Sequence, residues 1–111
     1  MKSIYVGIDI SKETLDFCFK EKQQFGFKKI KNKKNAIRKV FKKLDGKQAN
    51  IYIAMENTGN YNFKIYTVLE EFDFNAYVVD PRHIKQSIGL TRGKNDKADA
   101  RRIAAFIEKN Q

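Results

Sequence analysis

The sequence predicts a mixed α/β domain, and three features of its patterning carry that expectation. Period-two alternation of apolar residues fills the first thirty positions, a 3.6-residue apolar period takes over near Ile37, and strand and helix patterns then alternate. The order reads βββαβαβ, followed by one or two helices.

Residues 3–10 (SIYVGIDI) and 15–20 (LDFCFK) both alternate, and the polar SKET between them marks an antiparallel hairpin. A third run, 24–31, follows the short EKQQ turn and completes a meander. Ile37, Val40, Phe41 and Leu44 then recur at helical spacing, with Arg38, Lys39, Lys42 and Lys43 on the opposite side and a stop at Asp45-Gly46. The strand IYIAME (51–56) comes next. NTGN opens a helix whose stripe is Ile65, Val68, Leu69 and Phe72, and FNAYVV (74–79) is a further strand closed by Asp80-Pro81. A strand–helix–strand order with about a dozen residues of crossover implies parallel pairing and a right-handed connection. Residues 82–93 read weakly, as helix or irregular chain, and the last helix runs from Asn95 to Lys109 with Ala100, Ile103, Ala104, Phe106 and Ile107 apolar. An antiparallel hairpin feeding parallel βαβ units is the element order of the ribonuclease H-like fold. The expectation is a five-stranded mixed sheet of order 3-2-1-4-5 with helices on both faces.

A length of 111 residues allows one domain, and 41% hydrophobic content with nine Phe and five Tyr suffices for its core. No 20-residue apolar stretch or secretory leader pattern is present, which points to a cytoplasmic, nucleoid-associated protein and away from the membrane. Cys18 stands alone, so no internal disulfide is available and a reducing compartment suits the chain. His83 is the single histidine, which excludes an ordinary zinc site. Net charge is +10, and the segment from Lys28 to Lys47 holds ten basic residues against the single acid Asp45. Such a concentration is the electrostatic footprint of a phosphate-backbone binder, or else a solvated helix face.

Two strands share one detail. VGID (6–9) and IAME (53–56) each run apolar, small, apolar, acid, so period two puts Gly7 with Asp9, and Ala54 with Glu56, on one sheet face. If these strands are parallel neighbours, the two acids stand side by side at the carboxyl ends, with small residues leaving room beneath them. Carboxylates held that close repel unless a cation neutralises them, and hard oxygen donors suit Mg²⁺ or Mn²⁺. A third element, KNDKADARRIA (94–104), places Asp96 and Asp99 three apart at the start of a helix. Both are also what an N-cap at Asn95 and the helix dipole favour without any metal. Laid across the face bearing Asp9 and Glu56, that helix would complete a four-carboxylate site for phosphodiester chemistry.

Basic residues placed to meet nucleic acid are Lys12 after the first strand, Lys33, Lys34, Arg38 and Lys42 in the basic segment, and Lys94, Arg101 and Arg102 around the aspartates. After Glu56, Thr58 or Asn60 is expected to cap the next helix, and Gly59 to permit a tight turn.

Taken together, GIDISK, ENTGNY, DPRHIK and KNDKADARRIA resemble the amino-terminal, RuvC-like domain of the DEDD transposases of insertion sequences, the group related to the Piv invertase. The family pattern is GxDxxK, E-x-TG-x-Y, N-P and K-[ST]-D-x-x-D-A, and nearly the whole chain is covered. Asn95 stands where Thr or Ser is usual, and Asp80 where Asn is usual; neither change removes a carboxylate. The resemblance implies a metal-binding catalytic domain of a DNA transposase or site-specific recombinase, with Asp9, Glu56, Asp96 and Asp99 as catalytic residues and Mg²⁺ or Mn²⁺ ligands. It also implies DNA as substrate, a structured guide RNA, a homo-oligomer, and a following serine-bearing domain. The sequence ends at Gln111 without that domain, so residues 1–111 are expected to act as an incomplete recombinase. Competing readings are a non-catalytic nucleic-acid-binding module and a RuvC-type junction resolvase. A sugar-kinase or actin-like ATPase also opens on a GID-type strand, but ISKET lacks the glycine its phosphate loop needs.

Overall fold

The structure, a computed structural model, describes residues 2–79 and 96–110. The expectations for residues 82–93, for Asp80 and for the cap at Asn95 lie outside the described residues.

Three strands open the chain: β1 (Ser3–Ile10), β2 (Thr14–Glu21) and β3 (Gln24–Lys31). Helix α1 (Lys34–Asp45) leads to β4 (Asn50–Glu56), a 3₁₀ turn (Gly59–Asn62), helix α2 (Phe63–Leu69), β5 (Asn75–Val79) and helix α3 (Asp96–Asn110). They assemble one five-stranded sheet of order β3-β2-β1-β4-β5. The first three strands pair antiparallel, while β4 pairs parallel with both β1 and β5. This is the predicted fold. Boundaries move by a residue or so, and the helix expected after Glu56 is shorter because a 3₁₀ turn takes its first residues and Phe72 lies beyond its end.

Period two makes the two faces of the sheet different. Ile4, Val6, Ile8 and Ile10 of β1, Leu15 and Phe17 of β2, and Ile51, Ile53 and Met55 of β4 point one way. They bury the apolar stripe of α1 (Ile37, Val40, Phe41, Leu44) together with Ile65 and Val68 of α2. Phe41 is fully buried and meets Phe72 and Phe74 edge-on, at centroid distances of 5.7 and 5.5 Å. Edge-to-face contacts at that distance add to area burial.

On the opposite face lies α3. Its buried Ala100, Ile103, Ala104 and Ile107 cover Tyr5, Cys18 and Ala54. The approach is closest at Gly7. A Cβ there would stand 2.1 Å from the carbonyl oxygen of Ala100 and 2.3 Å from the backbone nitrogen of Ala104. Nothing larger than hydrogen fits between strand and helix, so Gly7 is required by close backbone approach. The small residues at Gly7 and Ala54, expected to leave room for the carboxylates, instead make room for a helix.

Candidate metal centre and nucleic-acid surfaces

Parallel pairing of β1 with β4 aligns Gly7 with Ala54 and Ile8 with Met55. One residue further along the same register are Asp9 and Glu56, adjacent on the α3 face and both half-buried. Neighbouring strands are about 4.8 Å apart, so the two carboxylates are first neighbours across the sheet.

The hairpin adds an acid on the other side. Asp9 is directly opposite Asp16 of β2, which is only 5% exposed, and Asp16 is opposite Lys29 of β3. The Lys29 ammonium lies 3.7 Å from an Asp16 carboxylate oxygen. Lys29, Asp16, Asp9 and Glu56 therefore form a row across four strands. Asp16 was missed from sequence, although the signal existed: a hairpin closed by Ile10 and Leu15 must bring Asp9 and Asp16 together.

Two contacts set the direction of α3. Ala100 and Ala104 lie over Gly7, while Glu108 near its other end forms an ion pair with Lys20, the residue opposite Tyr5. The helix thus runs antiparallel to β1, its first turn toward the strand's carboxyl end. From Ala100 back to position 96 is about 6 Å of helix rise, and from Gly7 on to Asp9 about 7 Å of strand. Helix start and strand end coincide. The side chains of Asp96 and Asp99 lie outside the described residues; their backbone forms the opening turn of this helix. Among the described residues, no three His, Cys, Asp or Glu side chains gather closely enough to hold a metal ion.

Behind Glu56, the ENTGNYN segment is tied down by one residue. Asn62 is fully buried; its amide donates to the Glu56 carbonyl at 3.0 Å, and its Oδ1 accepts from the Thr58 backbone N–H at 2.8 Å and from the Thr58 hydroxyl. Gly59 takes φ +71°, as the tight turn requires, and its N–H donates to Asn57 Oδ1. No side-chain cap begins the 3₁₀ turn or α2, so the expected capping by Thr58 or Asn60 gives way to a network centred on Asn62. An asparagine three residues past the glycine can reach back to both ends of such a turn, a pattern legible only once the turn geometry is known.

The basic segment divides between the two faces. Lys29 and Lys31 of β3 stand on the carboxylate face. The α1 residues are carried by a helix packed on the other side. There Lys34 sits over the Phe63 ring at 5.9 Å, Lys33 and Lys42 are exposed, and Arg38 donates two hydrogen bonds of 2.7 Å to Glu71. That pairing holds the Glu71 carboxyl below its ordinary pKa. Lys12 is exposed in the β1–β2 turn, three residues beyond Asp9. Arg101 is exposed on α3 and stacks 4.3 Å from the Phe25 ring, on the carboxylate side. Lys94 and the Arg102 side chain lie outside the described residues. Cys18, sealed under Ala100 and Ala104, has its thiol pKa pushed up to about 11 by burial, with Arg101 and Lys20 opposing.

The family model for transposases of the DEDD, IS110 type matches residues 6–111. The chain belongs to that transposase family. Among solved structures, T. thermophilus RuvC in complex with a Holliday junction substrate superposes with a TM-score of 0.66 at 16% identity, covering 99% of this chain and 96% of that one. The transposase chain therefore has the RuvC fold, a ribonuclease H-like architecture. No curated protein sequence matches. Among the described residues of the transposase chain, no helix is long and apolar enough to cross a membrane.

Proposed function

We propose that this chain is the metal-dependent catalytic domain of a DNA transposase, in which Asp9 and Glu56 from the sheet and Asp96 and Asp99 from α3 hold Mg²⁺ or Mn²⁺ against the scissile phosphodiester. The observation that carries it is the antiparallel passage of α3 over Gly7. It brings a helix opening with two aspartates to the strand ends that bear Asp9 and Glu56. All donors in this set are hard carboxylate oxygens, the class Mg²⁺ selects. Such ions activate an attacking oxygen and stabilise a leaving one. The chain's own residues supply the rest. Asn62 fixes the backbone at Glu56, and the Lys29–Asp16 pair leaves Asp9 with a partly neutralised neighbour.

DNA is the substrate in this reading, supported by the family's transposase activity and by the junction held by the RuvC relative. Completed strand transfer would draw on the serine-bearing domain, the guide RNA and the oligomer that the family resemblance implies.

Calorimetric titration with Mg²⁺ and Mn²⁺ tests the metal site. Uptake by the unaltered chain, reduced at least tenfold in Asp9→Asn and in Glu56→Gln, is expected from loss of one charged ligand at about 1.4 kcal/mol per factor of ten. No uptake, or uptake unchanged in both variants, overturns it and leaves a non-catalytic DNA-binding module.

A further inference from the structure

A second polar surface lies at the same end of the sheet, on the side of α1 and α2. Its organiser is Asn32, the residue after β3, which is 4% exposed. The Asn32 amide donates to the Ser11 carbonyl at 2.9 Å and the Tyr61 carbonyl at 3.2 Å, its backbone N–H to the Glu13 carbonyl at 2.9 Å, and its own carbonyl accepts from the Lys64 ammonium at 3.0 Å. One buried side chain thereby joins the turn that follows Asp9, the turn that follows Glu56 and the entry to α1. Buried hydrogen bonds of this kind hold the segments in fixed relation.

Two exposed aromatic residues flank buried Asn62 in sequence at that corner. Tyr61 is 44% exposed and Phe63, at the start of α2, is 65% exposed, with the Lys34 ammonium 5.9 Å from the Phe63 ring centroid. Lys12 and Lys33 are exposed in the adjoining turns, and Glu13 is the acid among them. Exposed rings interleaved with ammonium groups on a rigid backbone are the elements from which single-strand binding surfaces are made: the cations follow the phosphates and the rings stack on bases. A duplex offers the cations its backbone but keeps its base faces covered, so the rings distinguish the two.

We propose that Phe63 and Lys34 form a stacking site for unpaired DNA bases beside the carboxylate end of the sheet. The proposal rests on DNA as the partner but not on metal binding. The site lies at the same end of the sheet as Asp9 and Glu56, since Asn32 ties it to Ser11, two residues past Asp9, and to Tyr61, five past Glu56.

Fluorescence anisotropy with a labelled 12-mer of oligo(dT) and a labelled 12-base-pair duplex, both in EDTA, tests it independently of the metal. Loss of stacking in Phe63→Ala is expected to weaken oligo(dT) binding about tenfold, with duplex binding changed less than twofold. Phe63→Trp is expected to keep the affinity, with its indole fluorescence quenched on adding oligo(dT). Equal loss for both DNAs, no loss for either, absence of quenching, or failure of the unaltered chain to bind oligo(dT) overturns the proposal. Because Phe63 is largely exposed, these variants keep the core intact.

Discussion

The two faces of the sheet are held by opposite means. Under α1 and α2, large side chains interlock: Phe17, Phe41, Ile37 and Met55 are fully buried, and Phe72 and Phe74 close around Phe41. Under α3, bulk is absent at the seam, where Gly7, Cys18, Ala54, Ala100 and Ala104 bring backbone against backbone. The first arrangement supplies most of the apolar burial. The second supplies position, and it lies on the face that carries Asp9, Asp16 and Glu56. Stability and the geometry of the candidate site are thus assigned to different sides of one sheet.

The sharpest way to break this contrast is to damage each side in turn. Phe41→Ala is expected to lower the unfolding free energy by about 4 kcal/mol, as for truncation of a buried aromatic, measured by urea denaturation. Because the change lies on the α1 side, the variant that remains folded should titrate with Mg²⁺ like the unaltered chain. Gly7→Ala is expected to cost somewhat less, about 3 kcal/mol, since overpacking against backbone cannot be relieved by a rotamer. Its metal titration, however, should be lost, because α3 must move away from the strand ends. A Gly7→Ala protein with normal Mg²⁺ uptake would show that α3 does not position the site.

A smaller effect sharpens the account of the α3 seam. The Cys18 thiol titrates at about 11 against an ordinary value of 9.0, so its burial stabilises the fold fully below pH 9. That contribution is lost as pH rises from 9 through 11, because the unfolded chain releases the proton first. The loss is on the order of 2 kcal/mol from a shift of two units. Melting curves at pH 8 and pH 11, compared with those of Cys18→Ala, isolate it: the variant's decline across that range should be shallower.

Much of this organisation was legible in the residues, and the gaps have physical causes. Alternation in IYVGIDI and IYIAME identifies both the central strands and the shared face of Asp9 and Glu56, because a period of two admits one assignment of sides. The helix stripe at Ile37, Val40, Phe41 and Leu44 is equally unambiguous. Asp16 escaped notice because its meaning depends on hairpin register rather than local pattern. The basic segment read as one patch because charge along a chain carries no face; folding sends Lys29 to one side of the sheet and α1's residues to the other. Thr58 matched the preference for a cap, but buried Asn62 outcompeted it by satisfying Thr58 and the Glu56 carbonyl together. The role of Gly7 was read as clearance for a ligand when a helix occupies the clearance, a contact between elements more than ninety residues apart in sequence.

That contact has a bearing on how the domain tolerates heat and sequence drift. Where Gly7 meets the hydrogen-bonding groups of Ala100 and Ala104, no side-chain torsion lies between the two elements. Cores usually absorb error by shifting rotamers, and the α1 side retains that freedom. Along the α3 seam the spacing is set by bond lengths and van der Waals radii, so it acts as a fixed gauge: the rest of the core can soften or be rewritten while the distance from helix start to strand end stays the same.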